Sequence, residues 1–144
     1  MTLSDADPAL LGLISDNHHG VLVALKRDGR PQLSNISYAW FAEPGLVKVS
    51  ITATRAKYHN VRRDPRASLY VTATDFWAYA VAEGAAELSP VATTEQDDTV
   101  EELIELYRAI NGEHPDWDDY RRAMVADQRV VLRLPVDHVY GMSR

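Results

Sequence analysis

Between Gly20 and Ala53 the chain reads GVLVALKRDGRPQLSNISYAWFAEPGLVKVSITA, and the punctuation of that stretch constrains the fold more than any other feature. Two turn signals, RDGR and EPG, divide three runs enriched in β-branched and aromatic residues. Runs of that composition between glycine- and proline-bearing breakers form strands, and short breakers join neighbours antiparallel. The expected local structure is a three-stranded meander whose second strand is long. Further along, PRASLYVTAT and WAYAVAEGAAEL supply two more strands, and RVVLRLPVDHVYGM supplies one or two, with Pro135 marking a bend or an edge.

Helical signals lie outside this pattern. DPALLGLI opens with Asp7 as a cap and Pro8 at the first helical position. Over residues 94–111, Val100, Leu103, Ile104, Tyr107 and Ile110 share one helical face while Glu101, Glu102 and Glu105 fall outside it. HPDWDDYRRAMVAD gives a further helix, capped by Asp116, with Trp117, Tyr120 and Met124 spaced for burial. The expectation is a mainly β, α+β fold: a small barrel of about six antiparallel strands with peripheral helices. A length of 144 residues with 46% hydrophobic content suits one domain over 1–144 and leaves little room for a second.

Several function classes fall away. With no Cys there is no disulfide, thiolate nucleophile or Cys-ligated metal, which fits a reducing cytoplasm. His18 and His19 are adjacent in sequence and His59, His114 and His138 are scattered, so no spacing suggests a metal and none is assigned. MTLSDADPALLGLIS has no basic leader region and only a short, interrupted apolar run; neither a signal peptide nor a membrane span is expected, and the reading is a soluble cytoplasmic protein.

The formal net charge is −6, and Glu83 to Asp119 holds twelve acids against the single base Arg108. Against that background, TATRAKYHNVRRDPRAS over 52–68 carries five of the fifteen Lys and Arg residues. A helix beginning near Arg55, capped by Thr52 or Thr54, leaves backbone N–H groups facing an anion. Arg55 adds a planar fork, Lys57 a point charge, and Asn60, three residues on, shares the face of Lys57. Arg62, Arg63 and Arg66 fall near the helix C-terminus, and Asp64 with Pro65 marks its stop. Composition alone leaves a solvated basic helix and an anion site about equal. Nucleic acid is not expected, since only Tyr58 interleaves the bases and no recognition motif is present.

The order of the parts separates those readings. Strand LVKVSIT followed by ATRAKYHNVRRDPRASL resembles the flavin-phosphate segment of the pyridoxamine 5'-phosphate oxidase-like superfamily, the flavin/deazaflavin split β-barrels. With GVLVALKRDGRPQLSNISY, WAYAVAEGAAEL, DDTVEELIELYRAINGEHPDWDDYRRAMV and RVVLRLPVDHVYG, nearly the whole chain is similar to the branch that binds coenzyme F420, the actinobacterial F420-dependent reductases. The resemblance implies a homodimer of split β-barrels with cofactor sites at the subunit interface. It puts Arg55, Lys57 and Asn60 at the cofactor phosphate and the acidic tail beyond it. Gln32, Ser34, Asn35, Ser50 and Ile51 match positions near the deazaflavin ring, and Trp77, Tyr79 and Arg129 are carried over as contributors from the other subunit. Strand alternation puts Gln32 and Ser34 on one face and Asn35 on the other.

Each residue also has a structural alternative: polar strand positions for Gln32, Ser34 and Asn35, core packing for Trp77 and Tyr79, pairing with Asp127 for Arg129. Tyr38 and Trp40 are open between pocket and core. The implied activity is an oxidoreductase in which reduced F420 delivers hydride to an electron-poor unsaturated small molecule. Tyr79 or Arg129 is a candidate proton donor. FMN is the alternative cofactor, and a non-catalytic F420 carrier the alternative role. Pyridoxamine-phosphate oxidation itself is disfavoured, because RLPVDHVYGMSR lacks that enzyme's Arg- and Trp-containing substrate motif.

Overall fold

The structure is a computed structural model and describes residues 5–143; residues 1–4, where the stretch read for a leader begins, and residue 144 lie outside the described residues. Helix α1 (Pro8–Ser15) starts as read, with the Asp7 carboxylate accepting from the Ala9 N–H at 2.9 Å and Pro8 in the first turn. Strands β1 (His19–Leu25) and β2 (Pro31–Ser37) form a hairpin, in register from His19↔Ser37 to Leu25↔Pro31.

The long second strand divides at Tyr38. β2 ends at Ser37, and β3 (Ala39–Phe41) begins a different sheet, where it pairs with β4 (Leu46–Thr52). Tyr38 is fully buried; its hydroxyl donates to the Ile14 carbonyl at 2.6 Å and its N–H to the His18 carbonyl at 2.8 Å. A large side chain anchored in the core redirects the chain, so the expected meander becomes two hairpins in two sheets. Tyr38 is thus core, and Trp40 packs against the same core.

Helix α2 (Ala56–Arg63) leads to β5 (Arg66–Thr72) and β6 (Tyr79–Ala85), followed by the short β7 (Glu87–Leu88). Helices α3 (Asp98–Asn111) and α4 (Trp117–Ala126) precede β8 (Arg129–Pro135) and β9 (His138–Met142). One sheet has the order β2-β1-β5-β6-β9 and the other β3-β4-β8-β7, all pairs antiparallel. The stretch WAYAVAEGAAEL changes sheet at buried Ala86, and the last stretch changes sheet at Val136 and Asp137, just after Pro135. Strands that switch sheets at such bends close a barrel without one continuous ladder. β2 lies alongside β4 without pairing with it, so the barrel is split there.

Leu22, Leu69, Val71, Val47, Val49, Ile51, Leu132 and Leu134 fill the space between the sheets. A second, smaller core lies outside it, where Val100, Leu103 and Ile104 of α3 and Tyr120 and Met124 of α4 pack on Val131. The β4–β8 ladder therefore has a barrel face and a helix face. Its register, Lys48↔Arg133, Ser50↔Val131 and Thr52↔Arg129, sets those six residues on the helix face by strand alternation.

Candidate functional site

A cavity of about 480 Å³ opens where the split in the barrel meets the helix face, a size within the roughly 300–1,000 Å³ of small-molecule sites. Ser50, Thr52 and Arg129 line its floor, with Asn35 to Ser37 of the edge strand β2 on one side. Arg55 and Lys57 reach it from the start of α2. Leu106, Tyr107 and Ile110 of α3 with Tyr120 and Met124 of α4 form an apolar roof.

Local geometry explains how three cations meet there. β4 ends at Thr52, the Arg55 N–H donates to the Thr52 carbonyl at 3.0 Å, and the chain turns at once into α2. The N-cap is Arg55, in an extended conformation and without a side-chain cap. This corrects the expected Thr52 or Thr54 cap: Thr52 is the last ladder residue, and Thr54 precedes the cap. Arg129, the first residue of β8, pairs in register with Thr52, which brings its guanidinium beside Ser50.

The electrostatics are unusual for a chain rich in acids. Among the described residues, Arg55 and Lys57 make no side-chain hydrogen bond or ion pair. Burial, then the neighbouring Arg55 and Arg129 guanidiniums, hold the Lys57 ammonium below the usual lysine range. Arg129 has only long contacts, 3.4 Å to the Ser50 carbonyl and 3.5 Å to its hydroxyl, with Asp127 at 3.8 Å. Its Nε is buried without a hydrogen-bond partner. Above it, burial pushes the Tyr120 phenol up to about 12, and that hydroxyl donates to the Leu103 carbonyl at 3.1 Å. The donor set suits a phosphate or carboxylate, which the guanidinium forks and the ammonium bind by charge-assisted hydrogen bonds.

Of the residues singled out from sequence, Asn35, Ser50, Ile51, Arg55, Lys57 and Arg129 border this cavity. Ile51 does so with its side chain buried in the barrel core. Gln32 and Ser34 do not border it; they lie on the half-buried face of β2, and Asn35 is on the exposed face, as alternation requires. Asn60 is buried behind the site instead of sharing the cavity with Lys57. Its amide donates to Gln32 Oε1 at 3.4 Å and its carbonyl accepts from Arg63 at 3.1 Å, linking α2 to the β1–β2 hairpin. Trp77 lies in the β5–β6 connection and is 63% exposed, which removes the core reading for it, while Tyr79 stacks on Tyr70 at 5.7 Å. Neither borders the cavity of its own chain. Of the two proton-donor candidates, only Arg129 does, and a guanidinium orients and stabilises charge without giving up a proton.

The roof residues Leu106, Tyr120 and Met124 were read only as amphipathic packing or not singled out. Their signal was present in part: Tyr107 and Ile110 continue the apolar face of α3 beyond its buried turns, to the edge of the cavity. Among the described residues no group of His, Asp or Glu could hold a metal, and no helix is long and apolar enough to cross a membrane.

Residues 6–143 match the pyridoxamine 5'-phosphate oxidase family. Among solved structures, one named F420 reductase superposes with a TM-score of 0.73 at 21% identity, covering 94% of this chain and 98% of its own. A conserved hypothetical protein of Mycobacterium tuberculosis gives 0.74 at 21% identity, covering 99% and 89%. A Listeria innocua structure described as a candidate pyridoxamine 5'-phosphate oxidase gives 0.64 at 16%, covering 93% and 95%. At these identities the likeness establishes the fold.

Proposed function

This chain belongs to the pyridoxamine 5'-phosphate oxidase family, and from that premise we propose that it is an F420-dependent reductase acting on an electron-poor unsaturated small molecule. The observation that carries the reading is the convergence of Arg55, Lys57 and Arg129 on one roofed cavity, two of them without an anionic partner. The cofactor phosphate is assigned to these three cations, and the deazaflavin ring to the space between β2 and the apolar roof, beside Asn35, Ser50 and Ile51. When bound, reduced F420 supplies the hydride. The chain's own residues anchor the phosphate, orient the ring and exclude water, which is what hydride chemistry asks of a protein. Arg129 stabilises negative charge beside Ser50, and the proton comes from solvent. Gln32 and Asn60 support the site from behind, holding α2 against β2, and Ser34 shares the half-buried face of β2 with Gln32.

The reading includes a homodimer. Leu33 of β2 and Tyr140 and Met142 of β9 are exposed on the outer face of the five-stranded sheet, with Phe76 and Trp77 exposed at the β5–β6 connection. A second copy covers this apolar surface and brings its own Trp77 and Tyr79 toward the cavity. Light scattering at low micromolar concentration gives a dimeric mass; a monomeric mass removes these two residues from the site.

The deciding experiment titrates the protein with F420 and, separately, with FMN, followed by calorimetry or Trp fluorescence. Micromolar or tighter F420 binding with weak FMN binding supports the proposal, and Lys57→Ala then weakens it by about 1.5–3 kcal/mol, the range for a hydrogen bond to a charged group. Preference for FMN makes the chain a flavin oxidoreductase. Binding without turnover of any reducible substrate makes it a carrier, and binding of neither returns the cluster to a solvated basic helix.

A further inference from the structure

Behind the cavity roof lies an interlocked group of rings. Tyr107 of α3 meets Tyr120 and Trp117 of α4 and His114 of the α3–α4 connection, with ring centroids 5.1, 5.6 and 5.1 Å away and interplanar angles of 62°, 81° and 61°. Tyr107 and Tyr120 line the cavity; His114 and Trp117 do not. The connection is locked from outside. Both oxygens of the Glu113 carboxylate are engaged, one accepting from Arg108 Nε and the other from Trp117 Nε1, each at 3.0 Å, and the Arg108 guanidinium lies 4.9 Å over the Trp117 ring. His114 Nδ1 accepts from the Asp116 N–H at 2.9 Å. Tyr120 is buried, with its hydroxyl given to the Leu103 carbonyl. Tyr107 is half-buried and its hydroxyl makes no hydrogen bond among the described residues, so ring contacts hold it in place.

The cavity is therefore two-sided, with Ser50, Thr52 and the cations on the polar side and the roof on the other. An anion held by those cations keeps its attached ring along the polar side. Hydride passes across the face of that ring, so an acceptor must stack on the face left open, and its own outer face then meets the roof. Leu106, Ile110 and Met124 are aliphatic there; Tyr107 offers a fixed aromatic surface. The face of a phenol ring is electron-rich and favours offset stacking with an electron-poor ring. We propose that Tyr107 is a specificity-determining contact that stacks on the substrate, and that the substrates are flat, uncharged conjugated carbonyl compounds layered between cofactor and roof. The acceptor takes a hydride, with its electron pair, from reduced F420 and a proton from solvent, and the cofactor is left oxidised. This rests on the F420 reading of the cavity and deepens it by naming the substrate class and the residue that selects it.

The test loads the protein with oxidised F420, which has no hydride to give, and measures binding of naphthoquinone, a flat fused-ring acceptor, and cyclohexenone, a puckered enone. Calorimetry compares the wild-type chain, Tyr107→Phe and Tyr107→Leu. Tyr107→Leu is expected to weaken naphthoquinone about tenfold and cyclohexenone about twofold or less, while Tyr107→Phe, which keeps the ring, stays within about twofold of wild type for both. F420 affinity, measured first on the empty protein, is expected to be unchanged in both variants. A second readout does not depend on how well Tyr107→Leu folds: naphthoquinone against Tyr107 quenches Trp117 emission, read as the part of the wild-type quenching that Trp117→Phe lacks. Equal losses for the two acceptors, a Phe variant as impaired as the Leu variant, weakened F420 binding or no Trp117 quenching each overturn the proposal. So does a wild type that binds F420 and neither acceptor. A wild type that binds no F420 overturns the cofactor reading itself, and that first titration separates the two failures.

Discussion

The helix face of the β4–β8 ladder carries basic residues at both ends, and the two ends are neutralised in opposite ways. At one end Lys48 and Arg133 face each other in register and are covered by Glu102 of α3. Arg133 meets Glu102 through two parallel bonds of 2.7 and 2.5 Å, Lys48 lies 3.3 Å from both Glu102 and Glu105, and the Phe41 ring sits 4.7 Å from the Lys48 ammonium. At the other end Lys57 and Arg55 have no ion-pair partner, and Arg129 has only the half-exposed Asp127 at 3.8 Å, beyond hydrogen-bond distance. The difference traces to one stripe of α3: Glu102, Leu106 and Ile110, four residues apart, lie on one side of the helix. The stripe is acidic over the first cations and apolar over the second. Both clusters lie along the same ladder, Arg129 from β8 itself and Arg55 and Lys57 from the start of α2 just after β4, so proximity of basic residues is not what marks a ligand site. Withheld counter-charge is.

The largest expected effect comes from uncovering the closed end. Glu102→Gln keeps the shape and removes the charge that Arg133 and Lys48 share. Breaking fully buried pairs costs about 3–5 kcal/mol; with Arg133 still 30% exposed and Lys48 retaining Glu105, about 2–3 kcal/mol is expected by urea denaturation. Hydrogen bonding from Arg133 holds the Glu102 carboxyl below its ordinary 4.5. A depressed carboxylate contributes stability above its unfolded value that is lost as pH falls through the folded one. The wild-type stability curve therefore drops more steeply than the variant's below about pH 4.5, and matching acid limbs would show that Glu102 is not coupled to its partners.

The next effect comes from closing the open end. Ile110→Glu extends the acidic stripe over the cavity and adds a carboxylate to a lining that holds none. Affinity for inorganic phosphate is expected to fall about tenfold, roughly 1.4 kcal/mol, while Ile110→Gln, equal in size and uncharged, keeps most of it. Equal losses in both variants would make the effect steric and take the electrostatic argument away from α3.

The barrel was legible in the sequence because turn chemistry and β-branched runs are local signals. RDGR, EPG and Asp64-Pro65 all punctuate the chain where expected. The break at Tyr38 was not legible, since it depends on a hydroxyl reaching Ile14, twenty-four positions back in the sequence. At the site, Arg55 and Lys57 were visible as a local excess of charge. Arg129 entered only by resemblance, because its place depends on the β4–β8 register. Asn60 shows the limit of helical spacing: three residues after Lys57, it is drawn into a buried link by Gln32 and Arg63, partners that no periodicity in α2 reveals. Most of all, the lack of a hydrogen-bonded carboxylate at Arg55, Lys57 and Arg129 is a property of packing. Twelve acids between Glu83 and Asp119 gave no hint that α3 would direct Glu102 to one end of the ladder and leucine and isoleucine to the other.

The smallest expected effect is also the one with opposite sign. In the free protein Lys57 is a cation set between two guanidiniums, so replacing it should stabilise the fold where replacing Glu102 destabilises it. Because Lys57 keeps substantial contact with solvent, screening limits the gain from Lys57→Met to about 0.5 kcal/mol. Its pH dependence follows from the direction of the shift. The ammonium is held below its ordinary 10.5, first by burial and then by Arg55 and Arg129. Between the folded value and 10.5 the unfolded chain binds more protons, so wild-type stability rises with pH across that window. The advantage of Lys57→Met is thus present at neutral pH and fades as pH approaches 10.5. Thermal unfolding of both proteins at pH 7 and above pH 9 reads this directly. A variant less stable than wild type at pH 7 would mean that Lys57 has a stabilising partner in the free protein, and the two ends of the ladder would no longer differ in kind.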